Sequence, residues 1–337
     1  MALERIAGGV CADPFPVYAE LVASLAAAHV RAPLERDPLV AHVLGTCAGY
    51  AYGDTEMLST VATRLGLPSH VCVRISQAVD AMLIYTTAYL LQSQCGRVVL
   101  LCYRGTETAN LGNWLGDSDV GPDSTTLVTG GGRKLRVHGG FHRNLRATWW
   151  AVMQELAAAL EGRSLANHQL STPRPMEALY VCGHSAGGAL ALLFGLKLAG
   201  DPHHRGIAER LRAVYTYGQP LALLGPLPDG IDTLARGVFR HVVLQDPIPA
   251  LPAATWGPFV HVGQEFRYVE GEWRRSEAPV AQLKNMRSVP RIVLSFFETE
   301  ERRAGERYAF GGHAPQQYFA ALRPAGRVTE FGDSAET

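Results

Sequence analysis

The stretch LYVCGHSAGGALALLFGLKLAG, residues 179–200, most constrains what this chain can fold into. An apolar run meets Gly183-His184-Ser185-Ala186-Gly187, and an Ala/Leu-rich run follows at once. A strand that turns into a helix this abruptly needs small residues, because the backbone is strained and closely packed. Glycines flanking a serine in this setting read as a nucleophile elbow, which thrusts the hydroxyl out at the apex of the turn. Five residues with three fixed are common by chance. The strand before and the small-residue helix after give the pattern its weight. The inert alternative is a glycine-rich corner in a buried sheet.

The rest of the chain fits a sheet around that turn. HVCVRI, AMLIYTTAYLL and RVVLLCYRG read as strands, and TTLVTGGGRKLRVHGGF reads as a hairpin turned by Gly130 to Gly132. NLRATWWAVMQELAAALEG reads as a long helix, LRAVYTYG and FRHVVLQ as strands. Strands alternating with helices imply crossovers and a largely parallel sheet. Residues 1–70 read as a helical segment packed on the main domain, residues 71–324 as that domain, and residues 325–337 as a polar tail expected to fray. A chain of 337 residues suits this arrangement.

Bulk properties exclude several function classes. Lys+Arg and Asp+Glu both number 31, so no strong basic footprint for nucleic acid exists. No segment reaches 18 uninterrupted apolar residues, so no transmembrane segment is expected. Glu4 and Asp13 interrupt the N-terminus where a leader would be apolar, so a cytoplasmic location is the expectation. The six cysteines include no C-x-x-C pair and are expected to be free thiols.

A serine hydroxyl is a poor nucleophile until a base takes its proton, and a carboxylate usually orients that base. In sheets with such an elbow the order is Ser, then acid, then His. This cuts the twelve histidines to His261 and His313 after Asp246. Asp246 follows the strand FRHVVLQ, where functional groups of parallel sheets gather. Asp201, Asp229, Asp232 and Glu265 read as turn or strand residues. His313 sits after two glycines and just before a helix, the better place for a base; His261 sits in an alternating strand. His184 precedes the acid, and a packing role is expected. Ala186 should offer one backbone N–H to an oxyanion, and Thr106, at the end of RVVLLCYRGTE, the other. HGGF, residues 138–141, is the runner-up for that second donor.

With these residues in view, the chain resembles the class 3 lipase family of α/β-hydrolases over roughly residues 44–322. YRGTE, NWLGDSD, VHGGF, GHSAGG, TYGQP and RHVVLQDPIPALP appear in the family's order, with Ala186 where a leucine is common. The resemblance implies an α/β-hydrolase fold with a mostly parallel central sheet flanked by helices. It implies a Ser185–Asp246–His313 triad with Tyr318 following the base. It also implies a lid over residues 108–119, whose apolar side is Leu111, Trp114 and Leu115, with Asp117 bracing the oxyanion turn. Gly183 and Gly187 support the elbow. The implied activity is cleavage of carboxylic esters of acylglycerol or lipid type, with transient contact with a lipid interface. A phospholipase A1, a thioesterase, or an acyl-transferase or cyclase on an intracellular metabolite would use the same machinery, and a non-catalytic binding protein would retain only the fold. No cofactor and no metal are expected: Asp117, Asp119 and Asp123 lack the glycine and final glutamate of a calcium loop.

Overall fold

A computed structural model describes residues 1–7, 16–30, 34–106, 124–129, 132–199, 201–284 and 310–333. The chain opens with strand β1 (Ala2–Ala7) and helices α1 (Leu21–Ala27), α2 (Pro38–Tyr50) and α3 (Thr55–Leu65). Strands β2 (Val71–Val79), β3 (Ile84–Gln92), β4 (Val98–Tyr103), β5 (Ser124–Val128) and β6 (Lys134–His138) precede the long helix α4 (Gly139–Leu160). Then come β7 (Ala178–His184), α5 (Ala186–Leu198), β8 (Leu211–Tyr217), β9 (Leu223–Leu224) and β10 (Val238–Val243). Strands β11 (Phe259–Val260), β12 (Gln264–Val269) and β13 (Glu272–Ser276) lead to α6 (Pro315–Leu322).

Among the described residues, nine strands form one sheet in the order β1-β2-β3-β4-β7-β8-β10-β12-β13. The five strands from β4 to β12 run parallel to one another, and the outer strands pair antiparallel on both sides. A second sheet holds β11-β9-β6-β5. Alternate residues of a strand face opposite sides, and here both sides are covered. Val99, Leu101 and Tyr103 join the core under α4 and α5, whereas Val98, Leu100 and Cys102 join the core under α1, α2 and α3. That explains the unbroken apolar run VVLLCY: neither face meets water. Burying each such Val or Leu contributes about 2 kcal/mol. Cys47, Cys72, Cys102 and Cys182 sit in this core as buried free thiols.

Local chemistry sets the helix starts. Asp37 precedes Pro38 and accepts from the N–H groups of Leu39 and Val40, capping α2. Asp54 caps α3 through Met57 N. Three details differ from the sequence reading. Residues 2–7 form an edge strand in the segment read as helical, paired in register with Val71–Ser76 and tied inward by Arg5 on Glu155. The hairpin read over residues 125–141 forms between β5 and β6, but its last residues differ: β6 ends at His138, and Gly139 begins α4. The tail is anchored as far as residue 333. Buried Glu330 accepts from Tyr50 at 2.6 Å and from Arg323 at 3.1 Å, and Arg327 donates to the Val17 carbonyl. No described helix is long and apolar enough to cross a membrane.

Candidate active site

β7 delivers Ser185 to the carboxyl edge of the sheet, and α5 leaves immediately after it. Ser185 adopts φ 57° and ψ −131°, a region that L-residues avoid. The strain is held by close packing. A methyl group on Gly183 would lie 2.3 Å from the carbonyl of Gly187, and one on Gly187 would lie 2.2 Å from the Tyr103 carbonyl oxygen. Only glycine fits at either place. Ser185 N donates to the Tyr217 carbonyl at 2.8 Å, joining the elbow to the end of β8.

Asp246 lies in the turn after β10, its amide bonded to the Val243 carbonyl at 3.0 Å. Its Oδ1 accepts from Ile248 N at 2.8 Å. Its Oδ2 accepts from His313 Nδ1 at 2.7 Å and from the Tyr318 hydroxyl at 2.5 Å. Burial, and then the Asp246 carboxylate, push the Tyr318 phenol well up, so Tyr318 stays a donor. A hydrogen bond from Nδ1 to a carboxylate fixes the imidazole tautomer and turns Nε2 into a proton acceptor. His313 Nε2 and Ser185 Oγ are both buried, with no hydrogen-bond partner in suitable geometry among the described residues. Gly218 packs against the pair of acid and base: a methyl on it would lie 2.6 Å from Asp246 Oδ2 and 3.0 Å from His313 Cε1.

The turn after β4 lies against the elbow. Gly187 packs on the backbone of Tyr103, Arg104 and Gly105, so Thr106 follows directly on the segment that touches the elbow. Ala186 is the first residue of α5, where a backbone N–H has no intrahelical acceptor.

Other sequence candidates are engaged elsewhere. Glu265 binds Arg240 at 2.8 Å and Arg267 at 2.6 Å, deep in the sheet. Asp201 accepts from His203 N and His204 Nδ1 within its own turn. His261 meets the Pro249 carbonyl at 2.7 Å, and burial, with the Arg240 charge, holds its pKa well below the ordinary imidazole range. His138 packs against the rings of Phe141 and Phe259, at the second sheet. Leu111, Trp114, Leu115 and Asp117, with the lid segment, lie outside the described residues.

The family model for lipase (class 3) matches residues 100–256. A lipase of Rhizomucor miehei is 29% identical over 185 residues, which cover 55% of this chain and 46% of that protein. The chain thus matches about half the length of that curated relative. Lipase II from Rhizopus niveus superposes with a TM-score of 0.52 at 19% identity, over 73% of this chain and 86% of its own. Lip2 lipase from Yarrowia lipolytica gives 0.52 at 18% identity, over 83% and 92%. These likenesses show the α/β-hydrolase fold. The segment that resembles lipase (class 3) contains Thr106, Ser185, Ala186 and Asp246, whereas His313 and Tyr318 lie beyond it.

Sequence reasoning missed one residue of the site. Tyr52, in the turn after α2, meets His184 Nδ1 at 2.9 Å beside the elbow. A tyrosine after a helix in AGYAYGD carries no motif, so nothing local marks it. His184, read as a packing residue, is hydrogen-bonded through both ring nitrogens.

Proposed function

We propose that this protein is a serine hydrolase that cleaves carboxylic esters of acylglycerol or related lipid type through an acyl-enzyme. The observation that carries the reading is the buried Asp246–His313 bond of 2.7 Å beside a serine held at φ 57°. The class 3 lipase match supports the substrate class.

Ser185 Oγ attacks the ester carbonyl while His313 Nε2 takes its proton. Asp246 holds the Nδ1–H and stabilises the imidazolium. The oxyanion of the tetrahedral intermediate accepts from the N–H groups of Ala186 and Thr106. Each such donor is worth about 3 kcal/mol in comparable sites. His313 then gives its proton to the departing alcohol, leaving an acyl group on Ser185. Water, deprotonated by His313, attacks that acyl group; the acid leaves and Ser185 regains its proton. Whenever the imidazolium forms, it faces the Asp246 carboxylate through Nδ1.

A panel of acylglycerols, phospholipids and thioesters, graded by acyl length, tests this directly. The protein is expected to release fatty acid from acylglycerols, and Ser185→Ala to abolish release. Turnover of thioesters alone, or turnover that survives Ser185→Ala, would overturn the reading.

A further inference from the structure

The mechanism above uses neither Tyr52 nor His184, yet His184 is buried and Tyr52 half-buried against its parts. The Tyr52 hydroxyl meets His184 Nδ1 at 2.9 Å, and the two rings stand edge to face at 5.7 Å. His184 Nε2 meets the main-chain oxygen of His313 at 2.8 Å, and the rings of His184 and His313 lie 4.6 Å apart. A carbonyl oxygen only accepts, so His184 Nε2 carries the proton. The neutral ring then offers a lone pair at Nδ1, which accepts from Tyr52. The direction at Nε2 follows from the carbonyl, and that at Nδ1 from the ring being neutral.

Other contacts agree with that direction. Burial, then the charge of His313, hold the His184 pKa well below the ordinary range, so the ring is neutral. Burial raises the Tyr52 phenol, so it keeps the proton it donates. The same hydroxyl touches the turn that leads to Thr106. A methyl on Gly105 would lie 2.0 Å from Tyr52 Oη and 2.6 Å from the His184 carbonyl oxygen.

We propose that Tyr52 and His184 are positioning residues for the base: a directed chain, Tyr52 O–H to His184 Nδ1 and His184 Nε2–H to the His313 carbonyl, clamps the base loop to the elbow and the oxyanion turn. The inference rests on the hydrolase reading. Its chemical purpose lies in the step where His313 becomes charged. A second imidazole 4.6 Å away would repel the imidazolium if it too could take a proton. With both nitrogens committed, His184 stays neutral and its bond holds the main chain under His313 in place. A displacement of the base by ~1 Å is enough to cost on the order of 100-fold in rate.

The test separates geometry from folding. Functional sites are counted by titration with a fluorophosphonate, and kcat and KM on a soluble short-chain ester are expressed per titrated site. Tyr52→Phe is expected to lower kcat roughly tenfold per site, the loss of one buried hydrogen bond, with KM changed less than about twofold. His184→Leu is expected to fall further. His184→Gln, whose amide can still donate to the His313 carbonyl, is expected to recover part of that loss. Adding Tyr52→Phe to His184→Leu should cost little more, because the chain is already broken. Wild-type kcat per titrated site in Tyr52→Phe and His184→Leu would overturn the inference, as would losses in the two that simply multiply. A wild-type protein that does not titrate, or a Ser185→Ala variant that does, would instead overturn the hydrolase reading and take this inference with it.

Discussion

Ser185 and His313, the proposed nucleophile and base, are held in place by different physics. The serine is held by backbone sterics. Gly183 and Gly187 pack so closely against neighbouring main chain that no side chain fits, and the strained φ of Ser185 survives between them. The histidine is held by side-chain and main-chain hydrogen bonds: Asp246 on Nδ1, Tyr318 on the same carboxylate oxygen, and His184 on its carbonyl. A nucleophile fixed by sterics should break when an atom is added. A base fixed by hydrogen bonds should weaken when an atom is removed, and by steps.

Four variants bear on that contrast, from the largest effect to the smallest. Asp246→Asn keeps the shape but cannot hold the same tautomer of His313, and kcat is expected to fall about 10⁴-fold with little change in urea stability. Gly187→Ala attacks the other region. Its methyl would meet main chain at 2.2, 2.8 and 2.9 Å, so unfolding in urea should show a loss of about 3 kcal/mol. Wild-type stability in Gly187→Ala would break the comparison, because the elbow would then have slack. Tyr318→Phe removes one of three bonds to Asp246 and leaves the other two, so kcat should drop only about tenfold.

The smallest effect concerns acid. His42, His184 and His241 are buried and His261 is half-buried, and burial first holds each well below the ordinary imidazole range. Below pH ~6.5 the unfolded chain takes up protons that the folded chain refuses. Stability is therefore intact above that pH and falls beneath it, by ~1.4 kcal/mol per pH unit for each such histidine. His184→Gln should flatten the slope of urea stability between pH 6.5 and 5.5 by that amount for one group. An unchanged slope would mean that His184 is not kept neutral by its place between Tyr52 and the base loop.

What could be read from the sequence follows the same division. The elbow is a local object: six neighbouring residues specify the turn, and the apolar runs on either side specify the strand and helix. Chain order then pointed to Asp246 and His313, 67 residues apart, and a hydrogen bond joins them in the structure. Long-range hydrogen bonds that use ordinary residues were not legible. Tyr52 and His184 are 132 residues apart, and neither has a signature that names the other. The edge strand at residues 2–7 was missed because LERIA alternates poorly; β2 and the Arg5–Glu155 pair specify it from a distance. The tail was read as fraying because it is polar, but Glu330 is buried by partners on α2 and beyond α6.

The central claim is that Ser185 is the nucleophile and His313 its base. A fluorophosphonate with peptide mapping by mass tests it most directly. The account predicts one adduct per chain, on Ser185, formed on the order of 10³-fold more slowly in His313→Gln. An adduct on a different serine, or Ser185 labelling at the same rate in His313→Gln, would contradict it.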